Sequence, residues 1–169
     1  MTKGRACLWP FACAFYARPG VKDRLLDLQD RHGADVPLLL AVLWLASGGA
    51  ALGGSRVQRL RAISTPVQLG VIRPLRASRT ALKSLFTAAA DPMPQAVRLR
   101  KTVLAVELDA ERFVLELMER EAEAWFAEPL EDGARAEDAL SAAVGSQDCE
   151  VRRALQDLLR AAHDLHIPF

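Results

Sequence analysis

Twenty consecutive residues, Val36 to Ser55, carry no charged side chain. A run of this length meets the requirement for a membrane-spanning helix. Its strongly apolar part is only Leu38 to Ala46, however, and the remainder contains two Gly-Gly pairs, which end helices. Because a helix that is apolar all round has to be buried, we interpret the run as the central core helix and expect no membrane association.

The composition favours helices throughout the chain. Ala and Leu supply 55 of the 169 residues, whereas the sheet formers Val, Ile, Thr and Tyr supply 21. The length suits one domain, residues 1–169. We therefore predict an all-α fold, a single-domain bundle of about six to seven helices with one long helix in the C-terminal half.

Proline, glycine and capping residues divide the chain. Pro10 and Pro19-Gly20 bound a first helix, Gly33 ends a second that begins at Val21, and Asp35 caps the third. Pro66 and Pro74 predict interruptions between Arg56 and Ala90, with a cleaner helix from Arg73 to about Phe86. The longest helical pattern runs from about Gln95 to Ala127. Residues 129–146 are predicted to be a polar loop region, and Ser146 is the expected cap of the last helix.

Cysteine usage indicates a reducing compartment. Cys7, Cys13 and Cys149 are odd in number and lack metal-ligand spacing, so we expect buried, reduced thiols in a cytoplasmic protein. The apolar run from Ala6 to Ala17 loosely resembles a secretion signal, but Pro10 and several aromatic residues argue against one.

The near-neutral net charge of +1 conceals a separation of charge. Residues 1–101 hold 16 Lys and Arg against 5 Asp and Glu, and residues 102–169 hold 6 against 16. A basic half can indicate nucleic-acid binding. The most basic segment, Arg56 to Lys101, however, has Phe86 as its single aromatic residue for base stacking. We therefore expect the two halves to neutralise each other, without nucleic acid.

Two carboxylates of the long helix lie on its apolar side. On a wheel of ~100° per residue with Glu107 at zero, Val114, Met118 and Trp125 fall within ~20° of it, and Glu111 lies at about +40°. Glu107 and Glu111 are therefore predicted to be buried. A buried carboxylate needs a cation or a donor. The candidate partners form, with the two carboxylates, one polar cluster: Arg73, Arg76, Arg79, Lys83, Arg100, Glu107 and Glu111.

This cluster allows two interpretations. It could be an internal ion-pair network that fixes two helices in register. It could instead line a pocket in which the arginines hold an anionic ligand and the carboxylates bind metal or transfer a proton. Trp9, Tyr16 and Trp44 are expected in the core first and as pocket-wall aromatics second. No zinc spacing, phosphate-binding glycine loop or serine elbow occurs, so we expect no metal and no cofactor.

Several segments resemble a bacterial family of small all-helical proteins that is known only as a domain of unknown function. The resemblance covers roughly Leu8 to Leu117, with Pro37 where a polar residue such as Asn is expected, and it implies a cytosolic bacterial protein without naming a substrate. The segments that carry it are Leu8-Trp9-Pro10-Phe11-Ala12, Tyr16-Ala17-Arg18-Pro19-Gly20-Val21, Leu28-Gln29-Asp30-Arg31-His32-Gly33-Ala34-Asp35-Val36, Pro74-Leu75-Arg76 and Glu107-Leu108-Asp109-Ala110-Glu111-Arg112.

The leading hypothesis is a non-enzymatic interaction or accessory protein with a protein partner. The alternative is a helical-bundle enzyme or a binder of an anionic small molecule that uses the Arg/Glu cluster. The two hypotheses differ in one structural respect, namely whether the cluster is sealed or lines an open pocket.

Overall fold

The computed structural model describes residues 6–50, 52–87, 94–127, 135–146 and 148–165, without the side chains of 85–87. Within these residues the fold is all-α, as predicted, and contains no strand. A π-helical turn and a 3-10 turn join or extend helices, so that the described part of the chain forms seven continuous helical segments. The helices are α1 (Leu8–Tyr16), α2 (Val21–His32), α3 (Val36–Ser47), α4 (Gly54–Val67), α5 (Arg73–Thr87), α6 (Pro94–Ala122), α7 (Ala136–Val144) and α8 (Cys149–His163).

Helix α3 is the centre of the hydrophobic core, as the uncharged run predicted. All residues from Val36 to Ala46 are buried. The helix contacts α1, α2, α4, α6, α7 and α8, so that it has a neighbour on every side. Among the described residues, none of the helices is both long enough and apolar enough to cross a membrane.

Asp35 starts α3 and ties it to the segment that follows α4. Its Oδ1 accepts hydrogen bonds from the Leu38 backbone N–H at 3.1 Å and from Gln68 Nε2 at 2.9 Å. Its Oδ2 accepts from the buried Ser64 hydroxyl at 2.5 Å. The predicted cap is confirmed, and the carboxylate also satisfies two polar side chains that the sequence did not connect with it.

The predicted breaks at Pro66 and Pro74 do not occur. Pro66 lies inside α4, and a π-helical turn (Gln68–Ile72) carries the chain directly into α5. In this turn the Arg73 N–H donates to the Gln68 carbonyl, five residues back. Pro74 has no N–H for an α-helical bond to Gly70, and the wider turn accommodates it without ending the helix.

A helix lies inside the region predicted to be a loop. Residues 136–144 of the predicted loop 129–146 form α7, which buries Ala139, Leu140 and Ala143. Residues 129–134 lie outside the described residues. The prediction was wrong for 136–144 because acidic residues before and at the start of the helix obscured a short alanine-rich segment of good helix formers. The cap of α8 is also corrected, since Asp148 rather than Ser146 accepts the hydrogen bond from the Glu150 N–H.

The basic and acidic halves pair with each other across the α4–α6 and α5–α6 interfaces. Arg59 forms an ion pair with Glu121, and both Arg56 and Arg59 lie over the ring of the buried Trp125. The long helix ends slightly earlier than predicted, with a 3-10 turn over Glu123–Phe126. The three cysteines are free, but they are exposed, so the prediction that they are buried was wrong.

Candidate functional site

A pocket opens on the side of the bundle where α1, α2, α3, α5 and α6 meet. Its volume is about 420 Å³, which lies within the usual range of roughly 300–1,000 Å³ for small-molecule sites. Most of its wall is apolar, with charged groups only on α5 and α6. The lining residues are Trp9, Ala12, Cys13, Tyr16, Ala17, Leu26, Gln29, Val36, Pro37, Leu40, Arg76, Arg79, Leu104, Glu107, Leu108, Glu111 and Leu115.

Two arginines of α5 and two glutamates of α6 form an ion-pair cluster in the pocket wall. Arg79 binds Glu107 through both ends of its fork, with Nε–Oε2 at 2.6 Å and Nη2–Oε1 at 3.3 Å. Arg76 bridges the two carboxylates, with its Nε 2.8 Å from Glu107 Oε1 and its Nη2 2.7 Å from Glu111 Oε1. The formal charges of the four side chains cancel when both carboxylates are ionised.

The two carboxylates differ in burial, although the helix wheel predicts that both are buried. Glu107, at the centre of the apolar side of α6, is only 3% exposed, so its predicted burial is confirmed. The side chain of Glu111, about 40° from Glu107 on the wheel, keeps 21% of its surface exposed, so its predicted burial is met only in part. Arg76 and Arg79 are three residues apart on α5, a spacing that turns both side chains toward α6.

Burial and charge move the pKa values of the two glutamates in opposite directions. Burial alone would raise the pKa of Glu107, but hydrogen bonds from Arg79 and Arg76 outweigh burial and hold it below the ordinary value of 4.5. At Glu111 burial raises the pKa above that value, because Arg76 offsets it only in part and the charge of Glu107 opposes ionisation. Glu107 is thus a fixed anion, whereas Glu111 accepts a proton more readily than an ordinary glutamate.

Hydrogen-bonding capacity remains in the cluster. The second carboxylate oxygen of Glu111, Oε2, accepts no hydrogen bond from any residue that the structure describes. Within the same part of the chain, Nη1 of Arg79 donates none. Nη1 of Arg76 likewise donates none among the described residues, so the cluster keeps an acceptor and donors for a ligand beside a mainly apolar pocket.

Other predicted site residues lie away from this pocket. Arg73 and Lys83 are exposed, because Arg73 is at the edge of the arginine sector of α5 and Lys83 is a turn beyond Arg79. Arg100 is partly buried, and its Nε has no hydrogen-bond partner among the described residues. None of the three lines the pocket.

Of the three aromatic residues predicted as pocket walls, two line the pocket and one does not. Trp9 and Tyr16 line the pocket from α1. Trp44 does not: its indole N–H donates to the Ala6 carbonyl at 2.9 Å, and its ring packs edge-on against Phe126 with centroids 4.9 Å apart. Trp44 lies in the C-terminal half of α3, whereas the pocket residues of this helix, Val36, Pro37 and Leu40, lie in its N-terminal half.

Four of the residues that line the pocket were not predicted from the sequence. Leu26 and Gln29 come from α2, while Cys13 and Ala17, one turn apart, come from α1 and the residue that follows it. No local pattern marks these residues, since only the packing of α1 and α2 against α6 brings them together. Cys13 is exposed as a residue, yet partial burial of its thiol raises the thiol pKa, with Arg112 opposing the shift, so Cys13 is not an activated thiolate.

A metal site is not formed by the described residues, among which no group of three or more His, Cys, Asp and Glu side chains is arranged to hold an ion.

The fold and site define an all-helical protein with an apolar side pocket, one wall of which carries a neutral ion-pair cluster. The chain belongs to the family described as proteins of unknown function (DUF2390), whose model matches residues 7–118. The resemblance expected over Leu8 to Leu117 is thereby confirmed, and every residue that lines the pocket lies inside the matched segment. The chain matches no curated protein and no solved structure.

Proposed function

We propose that this protein is a non-enzymatic binding protein that takes a small, mainly apolar molecule into the pocket beside the Arg/Glu cluster. The observation that carries the proposal is that the cluster lines an open cavity of about 420 Å³ instead of being sealed in the core. A cluster whose only role was to fix α5 on α6 would need no cavity beside it. Apolar walls with a few convergent polar groups are typical of small-molecule sites.

The charge balance of the cluster favours a neutral ligand. Each arginine already has a carboxylate within hydrogen-bond distance, so an entering anion would meet no uncompensated positive charge. An anion would also lose its hydration in a mainly apolar pocket. The anionic ligand suggested by the basic residues alone is therefore the less favoured candidate.

A carboxamide on a compact apolar body suits the hydrogen-bonding capacity that remains at Glu111 and Arg79. Its N–H can donate to Glu111 Oε2, and its carbonyl can accept from Arg79 Nη1, while the body contacts Trp9 and Leu104. Glu107 serves in this proposal as the anion that holds both arginines in place. The three exposed cysteines without a disulfide support the further proposal of a cytoplasmic location.

The test compares three probes with the same phenyl body, which are benzamide, benzoate and benzylamine. Binding is followed by NMR through the indole N–H signals of the three tryptophans. Trp9 lines the pocket, whereas Trp44 and Trp125 are buried in the core and serve as internal references. We expect benzamide to shift the Trp9 signal saturably and to bind more tightly than benzoate or benzylamine.

A matched pair of variants locates the binding. Leu108 is exposed at the pocket wall, and Val97 is similarly exposed on the same helix outside the pocket. We expect Leu108→Asp to weaken benzamide binding at least tenfold, because it places a charge against the apolar body, and Val97→Asp to leave it unchanged. Equal binding by both variants, or no saturable shift at Trp9 with any probe, would overturn the proposal.

A further inference from the structure

The α5–α6 pair carries a second apolar surface on the side away from the pocket. Leu99, Val106 and Phe113 are spaced by seven residues along α6 and are 51%, 47% and 53% exposed. On the wheel with Glu107 at zero they lie at about −80° to −120°, whereas the pocket residues Leu104, Leu108 and Leu115 of α6 lie at about +60° to +100°. The stripe therefore faces roughly opposite to the pocket.

The π-helical turn and helix α5 extend this surface. On a wheel with the buried Ile72 at zero, Val71, Leu75 and Leu82 lie at about −60° to −100°. Helices α5 and α6 run antiparallel, because Arg76 reaches Glu111 while Arg79, one turn later, reaches only the earlier Glu107. When two antiparallel helices pack with the zero positions of their wheels turned toward each other, residues at the same signed angle on the two wheels lie on the same side of the pair. The two helices thus present one apolar surface, which we call the outer face (Val71, Leu75, Leu82, Leu99, Val106 and Phe113).

We propose that a second copy of this chain covers the outer face, with the two α6 helices antiparallel and a twofold axis at Val106. A surface that pairs with a copy of itself about a twofold axis must be complementary to itself, so that each residue on one side of the axis meets a suitable residue from the other side. Reversal of α6 about Val106 brings Leu99 onto Phe113, because each is seven residues from the axis. Large apolar side chains then meet along the whole stripe.

The charges of α6 fit the same axis. The part before Val106 carries Arg98, Arg100 and Lys101 and no acidic residue, while the part after it is predominantly acidic. Antiparallel pairing places the basic part of each copy beside the acidic part of the other, and parallel pairing would place like charges together. At the flank of the stripe, reversal brings the exposed Arg98 near Glu116 of the second copy.

The distribution of charge favours a second copy over a lipid surface. Helices that lie on anionic membranes carry basic residues along their whole polar face. Here the acidic residues Asp109, Glu116 and Glu119 follow the midpoint of the stripe, so half of the helix would be repelled.

The first experiment measures molar mass by sedimentation equilibrium across the micromolar range. We expect a mass of twice the 18.5 kDa chain at the higher concentrations. Val106→Glu, at the axis, should yield monomer, and Val97→Glu, 41% exposed on the other side of α6, should leave the dimer intact. Circular dichroism and thermal melts of both variants check that the fold is kept. A wild-type monomer at all concentrations, or a dimer that Val106→Glu does not weaken, would overturn the proposal.

The second experiment tests the register by oxidative cross-linking in a background that carries Cys7→Ser, Cys13→Ser and Cys149→Ser. The Val106→Cys chain should form a disulfide with its own copy, because the position lies on the axis. Leu99→Cys and Phe113→Cys chains should cross-link efficiently only when mixed. Self-linking of the latter two chains without a gain on mixing would indicate parallel helices, and a dimer that does not cross-link at position 106 would exclude the proposed axis. Either result contradicts the proposal, as does co-sedimentation of the protein with vesicles of anionic lipid while it remains monomeric.

Discussion

Arg79 holds Glu107 through two hydrogen bonds, Nε–Oε2 at 2.6 Å and Nη2–Oε1 at 3.3 Å, at a position where the carboxylate is almost completely shielded from solvent. The forked donors of the guanidinium match a carboxylate, and such charge-assisted bonds are stronger than hydrogen bonds between neutral groups. It joins α5 to α6 beside an open pocket, so the same contact serves the stability of the fold and the shape of the site.

Loss of either partner should destabilise the protein strongly. Glu107→Ala leaves two arginines without their shared carboxylate, and Arg79→Ala leaves a buried carboxylate with a single partner, so we expect each to lower the free energy of unfolding by about 3–5 kcal/mol. The double variant Arg79→Met with Glu107→Leu should recover much of that loss, because an apolar pair avoids desolvation. Urea unfolding measures all three, with Arg31→Ala as the control for an exposed ion pair. Losses below about 0.5 kcal/mol for both single variants would show that the pair is unimportant to the fold.

The lowered pKa of Glu107 predicts a stability contribution that is lost in acid. A group whose pKa is lower in the folded than in the unfolded chain stabilises the fold above the unfolded value and ceases to do so as the pH falls through the folded value. We therefore expect the cost of Glu107→Gln to be greatest above pH 4.5, the ordinary value, and to shrink as the pH is lowered beneath it. Unfolding by urea at a series of pH values gives this difference. A cost that stays constant or grows in acid would contradict the assignment.

Glu111 should show the opposite pH dependence. Burial raises its pKa, so ionisation costs the folded protein more than the unfolded chain, and the protein loses stability as the pH rises from 4.5 through the folded value. Glu111→Gln removes this loss, and its stability relative to wild type should improve as the pH increases over that range. Glu116→Gln, at an exposed carboxylate on the same helix, is the control. The raised pKa would be refuted if the stability difference between Glu111→Gln and wild type did not change with pH, or changed in the same direction as that of Glu107→Gln.

Asp35 should contribute more to stability than an ordinary helix cap. Asp35→Ala removes the cap of α3 and leaves the buried Ser64 hydroxyl and the Gln68 amide without their acceptor, so we expect a loss of about 2–4 kcal/mol. Asp148→Ala removes a cap hydrogen bond at the exposed start of α8 and should cost about 1 kcal/mol. Thermal melts compare the two variants. If they lose the same amount, the side chains of Ser64 and Gln68 are satisfied in another way.

The ion-pair cluster was predictable because it depends on the period of single helices. A charged residue at the centre of an apolar side, such as Glu107, must be paired. Arg76 and Arg79 were candidate partners because they share one sector of the preceding helix. The wheel could not distinguish these two arginines from Arg73 and Lys83. It gives the direction of a side chain around the helix axis, but not which residues of the neighbouring helix lie opposite. The core position of α3 followed equally directly from its uncharged sequence.

The pocket itself could not be predicted from local patterns. Its walls come from five helices, and Leu26 and Gln29 of α2 carry no mark that distinguishes them from other residues of that helix. Trp44 was a candidate for the pocket wall because it is aromatic. Its contacts with Ala6 and Phe126 depend on how distant parts of the chain pack together, which its local sequence does not show. The continuous passage into α5 depends on a π-helical turn that no local pattern indicated, and the acidic residues around the start of α7 obscured that helix.

The most direct test of the proposed binding site is an isotope-edited NOE experiment on the protein with benzamide at saturating concentration. The account predicts intermolecular NOEs from the phenyl protons to the methyl groups of Leu26, Leu40, Leu104 and Leu115 and to the Trp9 ring, which together surround the pocket. It also predicts NOEs from the benzamide N–H protons to the side-chain methylene protons of Glu111. Saturating benzamide that gives no NOE to these leucines, or that contacts only residues outside the pocket, would contradict it.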